Sequence, residues 1–229
     1  MSVAEPILRP VTPATPERPR PVMPDWTLDD LVAKFGPMPL RRIVFDPAPG
    51  TATEEDALRM AEGGRLCELV DGILIEKDMG YPQSRLALWI GHLLLTYLSR
   101  NNIGDAAGAD ATMRLMPGLV RIPDVSFTRW EKFPGRRVSD TPVPGLVPDL
   151  AVEVISKGNT KKELEDKLAD YFRVGVRLVW YVRPESKTVE VYTAPDRCRT
   201  LSGEDVLDGG EVLPDFTLPL PQLFAERHG

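Results

Sequence analysis

Histidine and cysteine are scarce in this chain, with two of each in 229 residues. Cys67 and Cys198 show no metal-ligand spacing, so they read as reduced core or surface thiols. His92 lies inside an apolar helical stretch and reads as a core residue; His228 falls in the tail. With no Ser or Cys in a nucleophile motif, acyl-transfer chemistry has little to build on. No glycine-rich fingerprint follows a strand, which argues against dinucleotide or phosphate-loop binding. No apolar run nears the roughly 20 residues that span a bilayer, and the N-terminus lacks the apolar core of a secretion signal. A cytoplasmic protein with no membrane partner is therefore expected. The net charge of −6 argues against a surface that grips nucleic acid everywhere. It still leaves room for a basic cleft around an acidic site.

What is present suits one sizeable globular domain, with 42% hydrophobic and 27% charged residues. Residues 1–24 carry seven prolines and little to bury, and are expected to form a disordered arm. Residues 25–64 read as a helical segment. "TLDDLVAKFG" is capped by Thr27 and ended by Gly36, and "TATEEDALRMAEGG" opens with Thr53 and Asp56 at capping-box spacing.

Residues 65–229 form the main domain. "LCELVDGILIEK" is two β-rich runs around Asp71-Gly72, a strong hairpin signal. "YPQSRLALWIGHLLLTYLSRNN" has a helical apolar period, and "ATMRLMPGLVRIPDVSF" reads as a strand, a Pro-Gly turn and a second strand. "NTKKELEDKLADYFRVGV" is a helix with Thr160 and Glu163 as its capping box. "VRLVWYV" and "KTVEVYT" make a further hairpin. Strands interleaved with helices predict an α/β fold, a mixed sheet flanked by helices.

The chemistry centres on "DLAVEVIS", residues 149–156, an apolar strand with Glu153 in its middle. A buried carboxylate needs a cation or hydrogen-bond donors. Alternation puts Ala151, Glu153 and Ile155 on one face and Leu150, Val152 and Val154 on the other. Asp124 opens the strand "DVSF" after Pro123. If the two strands are neighbours, Asp124 and Glu153 converge, and a divalent cation relieves their repulsion. Hard oxygen ligands suit magnesium or manganese. The plainer alternatives are a turn aspartate at 124 and a solvent-facing glutamate at 153.

"RIPDVSF", "PDLAVEVIS", "ELEDKLADYFRVGVRLVWYVRPESKTVEVY" and "LPDFTLPLPQLF" together resemble the Uma2 family, within the PD-(D/E)XK nuclease superfamily. The likeness covers about residues 65–226. It implies a restriction-endonuclease-like fold and metal-dependent phosphodiester hydrolysis in nucleic acid, with DNA the expected partner. It also implies Asp124 and Glu153 as catalytic metal ligands, with the backbone carbonyl of Val154 or Ile155 completing part of the shell. The superfamily's lysine would fall at Ile155, a departure. The resemblance passes that task to Lys167 on the next helix. Plain alternatives are an exposed Lys167 paired with Glu163 four residues earlier, and Lys161 or Lys162 in the role. Glu68 is a further carboxylate or a solvated hairpin residue, and Ser156 a ligand contact or a turn cap. A homodimer is the expectation from the two-fold symmetry of duplex substrates. The rival reading is a catalytically inactive nuclease fold that binds nucleic acid or a protein partner.

Overall fold

The computed structural model describes residues 26–138 and 140–225. The proline-rich arm and His228 lie outside the described residues. Helix α1 (Leu28–Phe35) and helix α2 (Glu54–Glu62) begin as their sequences dictate. Thr27 and Thr53 each accept from the N–H three residues on, and Asp30 and Asp56 reach back to the cap N–H.

Strands β1 (Cys67–Val70) and β2 (Ile73–Glu76) form the expected hairpin. Asp71 and Gly72 both take positive φ, 49° and 73°, as a two-residue turn with the right twist requires. Helix α3 (Tyr81–Leu98) buries Ala87, Ile90, Leu94 and Leu98. His92 departs from its expected core position: it is exposed and stacks on Trp89 with ring centroids 5.1 Å apart.

Strand β3 (Gly104–Ala107) follows, then β4 (Met113–Met116) and β5 (Leu119–Arg121) around Pro117-Gly118. The single second strand read from "LVRIPDVSF" is two. The chain leaves one sheet after Arg121 and enters another as β6 (Val125–Arg129). Pro123, without an N–H, sits at the break.

Strand β7 (Leu150–Val154) leads through helix α4 (Lys161–Arg173) to the parallel strand β8 (Leu178–Arg183). Strands β9 (Thr188–Ala194) and β10 (Arg197–Leu201) extend that sheet. A last hairpin, β11 (Val206–Gly209) with β12 (Leu213–Pro219), runs into the short helix α5 (Leu220–Leu223).

The large sheet has the order β10-β9-β8-β7-β6-β3 and the small one β2-β1-β5-β4. On one face of the large sheet, Leu150, Val152 and Val154 pack with α3 and the C-terminal hairpin. On the other, Ala151, Val179 and Tyr181 pack with α4, α1 and the small sheet. Helix α2 covers the far side of the small sheet through Ala57, Cys67, Leu69 and Leu74. The fold is thus α/β, a mixed sheet flanked by helices. Among the described residues no helix is long and apolar enough to cross a membrane.

Candidate active site

Alternation along β7 turns Glu153 away from the α3 core, toward α4 and the small sheet. Alternation along β1 turns Glu68 the other way from Leu69, toward the same gap. Asp124 sits where the chain enters β6, beside β7, its N–H on the Val152 carbonyl at 2.9 Å. All three carboxylates are buried. Each must therefore meet donors or cations.

Lys167 supplies one cation. Its Nζ lies 2.8 Å from Glu153 Oε1 and 2.8 Å from Glu68 Oε1. It is buried, and the glutamate one turn back, Glu163, instead pairs with Arg42 at 2.6 Å. Tyr171, one turn further along α4, donates its O–H to Glu153 Oε1 at 2.5 Å. Arg121 bonds Glu68 Oε2 at 2.8 Å and Asp170 at 2.5 Å, and the Ile122 N–H adds a bond to Glu68 at 3.0 Å.

Lys77, just past β2, supplies the other cation. Its ammonium touches three oxygens: Asp124 Oδ1 at 2.8 Å, the Ile122 carbonyl at 2.8 Å and the Ala109 carbonyl at 2.9 Å. The remaining oxygen of Asp124, Oδ2, accepts from the Val154 N–H at 2.6 Å. A cavity of about 480 Å³ between α3 and the segment after β3 opens onto Asp124 and Ala109.

The electrostatics divide the carboxylates. Burial opposes ionisation of Glu68, but Lys167 and Arg121 outweigh it and hold the carboxyl well below its usual range. Burial also dominates at Glu153. There Lys167 pulls down while the Asp124 and Glu68 carboxylates push up, and the result is about 7. Burial alone would discharge Lys167, yet Glu153 and Glu68 keep its charge firmly in place.

Asp124, Glu153, Lys167 and Glu68 thus stand in one cluster. Lys161 and Lys162 do not join it; they pair with Glu165 and Asp166 on the outer side of α4. Ser156 belongs to a turn, bonding Asn159 Oδ1 through its N–H at 2.9 Å and receiving the Gly158 N–H at 3.1 Å. Ile155 sends its N–H to the Val182 carbonyl and packs its side chain beside α4. Sequence reasoning missed Lys77, Arg121 and Tyr171 as members. Lys77 reads as an ordinary strand-end lysine and Tyr171 as one more buried stripe residue.

Carboxylates and backbone carbonyls offer the hard oxygen donors that a divalent cation takes. Asp124 Oδ1 and two carbonyls already surround a positive charge, the Lys77 ammonium, with oxygens alone. Glu153 meets Tyr171 and Lys167 through Oε1. Burial first, then the Asp124 and Glu68 carboxylates, raise its carboxyl, and a nearby cation opposes that rise. Among the described residues, no group of three or more His, Cys, Asp or Glu is placed to hold a metal ion. Any ion here would lean on few side chains and on backbone or water.

The family model described as Uma2, putative restriction endonuclease, matches residues 54–221. No curated protein matches the sequence. Among solved structures, the crystal structure of a putative nuclease belonging to DUF820 from Anabaena variabilis ATCC 29413 is similar. Its TM-score is 0.66 at 18% identity, over 75% of this chain and 97% of that one. At that identity the likeness is one of fold.

Proposed function

Because the chain belongs to the Uma2 family of putative restriction endonucleases, we propose that its carboxylate cluster serves metal-dependent hydrolysis of phosphodiester bonds, with DNA as substrate. The observation that supports this reading best is the meeting of Asp124, Glu153 and Lys167 in one buried cluster beside an open cavity. Asp124 and Glu153 would hold Mg²⁺ or Mn²⁺, with the Ile155 carbonyl as a further donor. Such an ion supplies Lewis-acid polarisation of the phosphodiester and activation of water.

The chain's own residues do the rest. Lys167 brings a fixed positive charge to where negative charge develops on the phosphate oxygens. Glu68 positions that ammonium, and Arg121 positions Glu68 in turn. Tyr171 holds Glu153 through Oε1 and so fixes the carboxylate that would bind the ion. A duplex with two antiparallel strands suits two copies of the chain, one per strand.

The hold of Lys77 on Asp124 favours one second reading, a nuclease fold that binds nucleic acid or a partner protein without cutting. Cleavage of plasmid and of single-stranded oligonucleotide, with Mg²⁺ or Mn²⁺, separates the two. Cleavage by the wild type that Glu153→Gln abolishes supports the nuclease. Cleavage that survives the substitution places the chemistry elsewhere. Nucleic-acid binding without cleavage supports the second reading.

A further inference from the structure

Both oxygens of Asp124 are engaged as it stands. Oδ2 accepts from the Val154 N–H, a backbone donor locked into β7. Oδ1 accepts from Lys77. Of these two partners only the lysine side chain can leave without unmaking the sheet. Lys77 is also well satisfied where it is, because an ammonium has three N–H donors and three oxygens lie at 2.8–2.9 Å. Asp124 and Ala109, the residues of two of its three partners, line the 480 Å³ cavity, so open space adjoins the place the ammonium would leave.

We infer that Lys77 is a built-in competitor for the metal: its ammonium occupies the Asp124 ligand position in the resting protein and must swing out before a divalent cation can bind. The inference rests on the metal-nuclease reading above and specifies how that site is regulated. An ammonium and a divalent cation drawn to one buried carboxylate oxygen repel each other, so the two occupancies compete. The metal-bound and lysine-plugged forms are then two states of one site. Apparent metal affinity falls by the fraction of time the site is open. Loading the metal also releases a lysine toward the cavity.

Two measurements on the full chain test this. First, Mn²⁺ binding is followed by calorimetry for wild type, Lys77→Met and Asp124→Asn. Lys77→Met is expected to bind Mn²⁺ at least about tenfold more tightly than wild type, the gain from removing an occupant present most of the time. Asp124→Asn is expected to lose binding. Second, wild-type protein is treated with an amine-acylating reagent and each lysine's labelling is read by mass spectrometry. Mn²⁺ is expected to speed labelling at Lys77, where an ordinary ligand would protect its site. Should Lys77→Met fail to fold, the labelling decides alone. Equal or weaker Mn²⁺ binding by Lys77→Met, or labelling at Lys77 that is unchanged or slowed while Mn²⁺ binds, overturns the competitor and leaves the metal site standing. Absence of Mn²⁺ binding in both proteins overturns the competitor and the metal site together.

Discussion

Tyr171 and Glu153 are joined by an O–H···O bond of 2.5 Å, tying helix α4 to the middle of strand β7. Lys167 meets the same carboxylate oxygen at 2.8 Å. The helix that follows the strand therefore delivers both a charge and a neutral donor to one point.

Tyr171→Phe removes the donor and keeps the packing. A hydrogen bond to a charged group contributes about 1.5–3 kcal/mol, so stability should fall by that order. Urea denaturation measures it. Loss of a bond that favours the ionised carboxylate should also push Glu153 further upward.

Glu153 makes stability depend on pH in an unusual direction. Its carboxyl rises from an ordinary 4.5 to about 7 in the folded chain, so between those values the folded state binds more protons than the unfolded. Stability from this group is therefore lost as pH rises from 4.5 through 7, by on the order of 3 kcal/mol. Glu68, held low, works the other way and loses its contribution as pH falls below the ordinary carboxylate range. Metal-free protein melted across pH 4.5–7.5 should show the decline, and Glu153→Gln should abolish it.

Arg121→Met removes the cation that Glu68 and Asp170 share, leaving Glu68 with Lys167 and the Ile122 N–H and Asp170 with Arg173. A hydrogen bond to a charged group contributes about 1.5–3 kcal/mol, and each carboxylate loses one. Thermal melting should show the drop. The double replacement Arg121→Met with Glu68→Gln should cost less than the sum of the two single changes, because both side chains belong to one network.

Gly104→Ala tests the edge of the large sheet, away from the site. A Cβ there would lie 2.2 Å from the Thr128 carbonyl oxygen and 2.6 Å from the Phe127 ring. Neither the paired backbone nor a fully buried ring has room to shift. Overpacking of this kind costs about 1–3 kcal/mol, visible as a lower denaturation midpoint.

Local chemistry made much of the fold legible in advance. The capping boxes at Thr27, Thr53 and Thr160, and the Asp71-Gly72 turn, involve neighbours within a few residues, so the sequence carries them openly. The two faces of β7 follow from alternation alone. The passage between sheets at Ile122-Pro123 falls inside a run that reads as one strand, although Pro123 signalled it. Arg121 and Glu68 are 53 positions apart and Lys77 and Ile122 are 45 apart. No spacing rule reaches across such distances. His92 was misplaced because an apolar helix was read as buried all round, whereas α3 keeps one side open.

The passage at Ile122-Pro123 also divides ownership of the centre. Glu68 comes from the small β-layer and Lys77 from just past its hairpin; Asp124 and Glu153 come from the large one. With either layer alone, these side chains have no partners from the other, so the buried charge network exists only where the two layers meet.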